Sequence, residues 1–385
     1  MLAQMSATPR SLALALGTTQ TLAWATTYYI PATMVTAATE SFGVSRTVLL
    51  GGFSWSLLVA GVCAPRIGRF IDRNGGRPVL AAGAVITCAG LLALAASANV
   101  PMWYFAWTIL GVGMALGLYD TAFATIGRLL GSQARPAIVG VTMMAGFAST
   151  IGWPAGSWLV HEYGWRIAVM LFAAVQVVAI LPIVLLFVPP APAEAPPSPA
   201  RQAADGDVKL RAAFILLAVF FTARAAISSL ISVHALTLLA GIGLSAEQAV
   251  FTAAMIGPAQ VASRVIDWRF ARNLSPVTSS WLGAALLPLG VAALLGGAPA
   301  LVFALAYGMS NGILTISRGT LPMHVFGPAG YASLLGRLAL PSLVAQAVTP
   351  TLLAPLIDNV PASWMFAALG LVSFAVLGCL LPLRR

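Results

Sequence analysis

The sequence predicts an all-α membrane protein with twelve transmembrane helices in two pseudo-symmetric six-helix bundles. Three observations predict it. Of 385 residues, 59 % are hydrophobic and only 8 % charged, against about 25 % charged in a soluble domain. The apolar residues form continuous runs of about 20, the length of a helix that crosses a bilayer, rather than the short alternating segments of a barrel. The two halves also repeat each other at an offset of 195 residues: Gly68-Arg69-Phe70-Ile71-Asp72 returns as Ser263-Arg264-Val265-Ile266-Asp267, and Gly113-Met114 and Gly117 return as Gly308-Met309 and Gly312. Gly164-Trp165 has a looser echo in Ser363-Trp364.

In chain order the expected spans are 12–38, 47–65, 79–98, 102–126, 138–160, 166–188, 212–238, 247–266, 277–296, 299–322, 332–356 and 364–382. The first begins like a signal peptide, with Arg10 before Leu12–Leu16. It then continues through Thr18, Thr19, Gln20, Trp24, Thr26, Thr27, Tyr28 and Tyr29, too polar and too long for a signal core, so it is read as a retained span. The short loops make neighbouring spans antiparallel. Trp103, Tyr104, Trp158, Tyr163, Trp165 and Trp364 fall near span ends, as interfacial anchors do. Gly113/Gly117 and Gly308/Gly312 are one turn apart and allow helices to approach closely.

Between spans six and seven, Pro189–Lys209 reads PPAPAEAPPSPARQAADGDVK, a composition that stays extended and solvated. It divides the chain into a bundle at 1–188, a linker at 189–209 and a second bundle at 210–385. Six crossings return the chain to its starting side, so the linker and both termini share one side. With the N-terminus inside, that side carries Arg10, Arg66, Arg69, Arg73, Arg77, Arg128, Arg135, Arg201, Lys209, Arg211, Arg264, Arg269, Arg272, Arg337, Arg384 and Arg385, against Arg46 and Arg166 outside. Positive residues concentrate on the cytoplasmic side, so both termini are expected there, in a multi-pass protein of the inner (plasma) membrane. The net charge of +10 is then a topology signal, and no nucleic-acid partner is expected. Cys63, Cys88 and Cys379 all fall inside spans and give neither a disulfide framework nor metal spacing.

The loop after span two, Gly68-Arg69-Phe70-Ile71-Asp72-Arg73-Asn74-Gly75-Gly76-Arg77, resembles the G-x-x-x-D-R-x-G-[RK]-[RK] signature of the major facilitator superfamily. Gly76 stands where one basic residue is usual. The resemblance extends to the six-plus-six repeat and the central linker, and it implies a secondary transporter, usually monomeric, that exposes a central site to one side at a time. It also implies a gate at Gly68, Asp72, Arg73 and Arg77. There Asp72 faces the start of span eleven near Gly330–Ser333, because a helix N-terminus offers free N–H groups to a carboxylate. Asp267 is the counterpart in the second half, facing the start of span five. The alternative is that these arginines only set topology.

Glu40–Thr47, with Phe42-Gly43-Val44-Ser45-Arg46, resembles the F-G-W-S-R segment of monocarboxylate-porter and oxalate/formate-exchanger relatives, Val44 replacing Trp. A competing likeness lies in span five. Gly146 and Gly152-Trp153-Pro154-Ala155-Gly156 resemble the glycine/proline motif of proton-coupled exporters, but Ser157 replaces its last glycine, and Trp107 stands where drug exporters carry an arginine in span four.

Ionisable residues deep in a span mark pathways or partners. Arg224 lies about 12 residues into span seven, roughly 18 Å deep at 1.5 Å per residue, with Ser228 and Ser232 following at four-residue steps. Its guanidinium suits a carboxylate or another planar anion. Span ten aligns Asn311, Thr315, Arg318 and Pro322, and span four aligns Gly113, Gly117, Asp120 and Ala124. Asp120 is the candidate proton site. It pairs with Arg318 in one conformation and parts in the other, or else Arg318 reaches the interface and Asp120 bonds a neighbour such as Arg128. Gln20, Trp24, Thr27, Tyr28 and Pro31 form a polar-aromatic face on span one, and substrate contacts are expected from Gln20, Trp24, Tyr28, Asn311, Arg224 and Arg318. His161, His234 and His324 are expected to be structural or solvated.

The sequence shows no P-loop, metal-ligand cluster or nucleophile–base set, so no cofactor, metal or enzymatic role is expected. The expected cargo is a small, monocarboxylate-like organic anion, coupled to protons or to a counter-anion. The alternatives are an efflux antiporter for drugs or toxic compounds and, in another class, a membrane solute sensor that carries nothing.

Overall fold

A computed structural model describes residues 8–191, 208–270 and 274–384. Most of the expected linker, residues 192–207, lies outside the described residues. Nine stretches among the described residues are helical, long and apolar enough to cross a membrane. One of them, Val100–Phe187, is 88 residues long. It turns back at Gly131 (φ 54°) and at Gly164 (φ 78°), two left-handed positions suited to glycine, and so holds three crossings. Together with Pro9–Phe42, which is broken near its middle, this gives the twelve spans.

Packing divides the described residues into two compact units. The first takes in residues 8–191 and Gly327–Leu340, and the second residues 208–270, 274–326 and 341–384. The long helix Tyr331–Asn359 therefore begins in the first unit and continues in the second.

In the first unit, span one starts at a capping box: Ser11 N–H bonds to Thr8 Oγ1 at 3.1 Å, and Pro9 opens the helix Pro9–Ala25. The expected continuous face Gln20–Pro31 does not exist, because the helix stops at Ala25 and resumes at Ile30. Pro31 accounts for the interruption. It has no N–H to donate, and its ring would collide with the carbonyl of Thr27, four residues earlier. The same rule breaks span eight in the second unit, where Ala246–Ala254 ends four residues before Pro258 and Ile256–Phe270 resumes.

Span four also breaks, without proline. Val100–Gly117 and Tyr119–Leu130 meet at an extended Leu118 (φ −92°, ψ −169°). Two side chains satisfy the exposed carbonyls: Gln20 Nε2 donates to Gly117 O at 2.7 Å and Thr121 Oγ1 to Ala115 O at 2.8 Å. Span six contains a π-helical turn, Gln176–Ile180, just before Pro182. Gln176 uses this turn to reach span one, donating from Nε2 to Thr26 Oγ1 at 2.7 Å. Thr19, Thr27 and Gln176 of spans one and six line a cavity with Gly113, Gly117 and Leu118 of span four and Thr87 of span three.

The glycine expectation holds in part. Gly113 packs on Thr87 of span three, and Gly308 and Gly312 lie against the backbone of Ile256 and Gln260 in span eight. Gly117 touches nothing that a Cβ would meet. It is not a packing glycine and instead precedes the break.

Candidate functional site

In the second unit, span seven is one unbroken helix, Val208–Gly241, and span ten another, Ala300–Phe326. They run antiparallel and are bridged twice at matching steps. Arg224 Nη2 donates to Asn311 Oδ1 at 3.4 Å, and one turn away on each helix Tyr307 OH donates to Ser228 Oγ at 3.3 Å. Arg224 is 7 % exposed, and its Nε and Nη1 have no hydrogen-bond partner among the described residues. A buried guanidinium needs compensation for its lost hydration, and one neutral amide at 3.4 Å is a small part of that. The arrangement leaves a fixed positive charge with donors to spare.

Asn311 and Arg224, each expected as a substrate contact, meet here. Tyr307 was missed, although its four-residue step from Asn311 signals the shared face. Arg318 is half-buried seven residues further along that helix. His234 lies apart from this group and bonds to Pro350 O at 3.1 Å.

In the first unit, Gln20 is fully buried and engages the span-four break rather than presenting its whole amide to a cavity. Trp24 sits between Tyr28 and Tyr119, with ring centroids 4.7 and 4.9 Å away. Tyr28 belongs to the turn after the first helix and packs edge-on to Phe53 at 5.1 Å. Asp120 is half-buried in the first turn of Tyr119–Leu130, where free N–H groups favour a negative side chain. The sequence suggested mid-helix Asp120 in a continuous span; the break at Leu118 changes that setting.

The loop signature has definite geometry, also within the first unit. Asp72 Oδ1 accepts the Ala332 N–H at 3.1 Å, and Oδ2 accepts the Ser333 N–H at 2.8 Å and the Ser333 hydroxyl. Gly68 lies one turn earlier, where a Cβ would strike the Ala332 carbonyl. Arg73 is exposed in the last turn of Arg46–Asn74. Arg77 points elsewhere and donates to Leu185 O near the end of span six, capping a helix C-terminus. Asp267 is 4 % exposed in the second unit.

These features define a class: a helical membrane protein of two repeated bundles, with buried charge on span seven and an acid-gripped helix start at span eleven. The comparisons make it specific. The Major Facilitator Superfamily profile matches residues 16–340. The fold is similar to the human organic anion transporter MFSD10 (TETRAN), with a TM-score of 0.77 and 16 % identity over 97 % of this chain and 100 % of that one. It is also similar to the proton:xylose symporter XylE, with a TM-score of 0.64 and 16 % identity over 97 % and 93 %. No curated protein matches in sequence. The chain belongs to the Major Facilitator Superfamily and is a transporter, not an enzyme.

Proposed function

We propose that this protein is a secondary active transporter that carries a small organic anion by alternating access, driven by protons or by counter-exchange. The observation that supports this reading is Arg224, buried in its unit with Nε and Nη1 unpartnered among the described residues. A carboxylate supplies both the missing charge and the missing acceptors. The likeness to a protein described as an organic anion transporter points the same way. A cationic-drug exporter gains nothing from this guanidinium, which ranks the efflux reading second. Arg318 and Asn311 complete the proposed anion contacts. Asp120 is the proposed proton site, and Gly68, Asp72, Arg73, Arg77 and Asp267 the proposed gating set. The proposed setting is the inner membrane, as a monomer with both termini inside.

The test is a thermal-stability screen of purified protein against carboxylates and inorganic anions, repeated on Arg224→Gln. Wild type gains several degrees with its preferred anion and Arg224→Gln gains none. Equal stabilisation of both proteins removes Arg224 from the site. Uptake of the same anion into proteoliposomes separates a carrier from a sensor.

A further inference from the structure

Two residues one helical turn apart in the first unit each bury a polar atom that lacks a partner among the described residues, and the two atoms are of opposite kinds. Gln20 is fully buried, with its Nε2 committed to Gly117 O at 2.7 Å, and its Oε1 accepts nothing among the described residues. Four residues on, the indole Nε1 of Trp24 is buried and donates to no described residue. Buried polar groups are almost always satisfied, and the exceptions call for an explanation. Residues four apart on a helix share a face, and both belong to the unbroken stretch Pro9–Ala25. The aromatic rings of Tyr28 and Tyr119 lie against the same indole.

The two atoms ask for complementary partners. Gln20 Oε1 needs a hydrogen-bond donor and Trp24 Nε1 needs an acceptor. A carboxylate only accepts and leaves Gln20 unsatisfied; an ammonium only donates and leaves Trp24 unsatisfied. A hydroxyl does both with one oxygen. We propose that Gln20 and Trp24 form a recognition site for a neutral hydroxyl group of the cargo, set against an aromatic wall. The cargo class is then a hydroxylated solute rather than a bare short-chain acid. This rests on the transporter reading but not on the role of Arg224. It also gives Gln20 two tasks, since the amide that meets the hydroxyl is the one that ties down the carbonyl before the span-four break.

The test measures binding of three probe pairs to the purified full-length protein: lactate and propanoate, 4-hydroxybenzoate and benzoate, and methyl lactate and methyl propanoate. Trp24→Phe keeps a ring and removes only the indole N–H, so it is the principal variant; Gln20→Met is secondary because it also releases Gly117. In wild type the hydroxylated member of at least one pair binds tenfold or more tighter, and Trp24→Phe brings that preference within about twofold, as expected when a site built for a hydroxyl loses a partner. No preference in any pair, or a preference that survives Trp24→Phe, overturns the proposal and leaves a resident water as the occupant of the two atoms. A hydroxyl preference confined to the uncharged esters keeps this site and sinks the anion reading; anion binding lost in Arg224→Gln without any hydroxyl preference does the reverse.

Discussion

Ser333 donates its backbone N–H to Asp72 Oδ2 at 2.8 Å and adds its hydroxyl to the same carboxylate, while Ala332 N–H holds Oδ1 at 3.1 Å. A side chain at the end of span two thus occupies the N-terminus of a helix more than 250 residues away in sequence. Hydrogen bonds to a charged group are worth about 1.5–3 kcal/mol each and do not add fully. Asp72→Ala is therefore expected to destabilise this contact by about 2–4 kcal/mol, and Asp72→Asn, which keeps one acceptor, by about half as much. Thermal unfolding in detergent measures the loss. Cysteine accessibility at Ser333→Cys, compared with and without Asp72→Ala, reports whether the helix start comes free; unchanged labelling removes Asp72 from any gating role.

Gly68 and Gly336 should tolerate substitution far less than Gly117. A Cβ on Gly68 runs into the Ala332 carbonyl and one on Gly336 into the Ala64 carbonyl, both backbone atoms that cannot swing aside. Over-packing of this kind costs about 1–3 kcal/mol. Gly117 has open space around the same position and no positive φ, so Gly117→Ala should be neutral or slightly stabilising, since alanine loses less backbone entropy on folding. Comparable losses in all three alanine variants would contradict this ordering.

The sequence carried the architecture because solvent dictates it: runs of about 20 apolar residues leave a lipid-exposed chain only the helix. The Asp72 contact was also legible, since a carboxylate and a helix start are complementary wherever the loop signature occurs. The irregular spans were not. Pro31 shares the helical spacing of the span-one face, yet its missing N–H breaks span one between Ala25 and Ile30, and no proline announces the break at Leu118. Helical wheels assume continuous helices, so the faces drawn for Gln20–Pro31 and Gly113–Ala124 failed where the backbone turned. The unbroken helices of spans seven and ten kept their phase, and there Arg224 and Asn311 meet.

The bond from Gln176 Nε2 to Thr26 Oγ1, 2.7 Å and buried, joins the π-turn of span six to the break in span one. Leaving a buried donor or acceptor unpaired costs about 1–3 kcal/mol, whereas removing both partners costs less. Gln176→Leu is expected to lower stability by about 1–3 kcal/mol, with Thr26→Val partly restoring it in the double variant. A double-mutant cycle by thermal unfolding gives the coupling directly. Purely additive losses mean that the two spans do not depend on this bond.

Asn311 and Tyr307 should separate in their effect on anion binding. Asn311 holds Nη2 of Arg224, whereas the Tyr307 hydroxyl is committed to Ser228. Asn311→Leu frees the guanidinium to move and is expected to weaken anion binding about tenfold, roughly 1.4 kcal/mol. Tyr307→Phe is expected to change it by less than about threefold while costing about 1 kcal/mol of stability. Titration of the preferred anion against each variant decides, and a larger binding loss in Tyr307→Phe than in Asn311→Leu reverses the assignment.

Arg166 is one of two positive residues on the side expected to carry few, and its contacts give it a structural reason to be there. Its Nη1 donates to Ala95 O and Ser97 O, both at 3.1 Å, closing the C-terminus of helix Arg77–Ala95. Its guanidinium also lies 4.2 Å from the Trp165 ring, and Trp165 donates to Ser41 Oγ at 3.0 Å. Both roles use a planar head with several donors, which lysine lacks. Carbonyl capping and a cation–π contact together contribute about 1–2 kcal/mol, so Arg166→Lys should lose most of what Arg166→Ala loses. Unfolding temperatures of the two variants measure this. If lysine matches wild type, the charge alone suffices and the planar contacts contribute nothing.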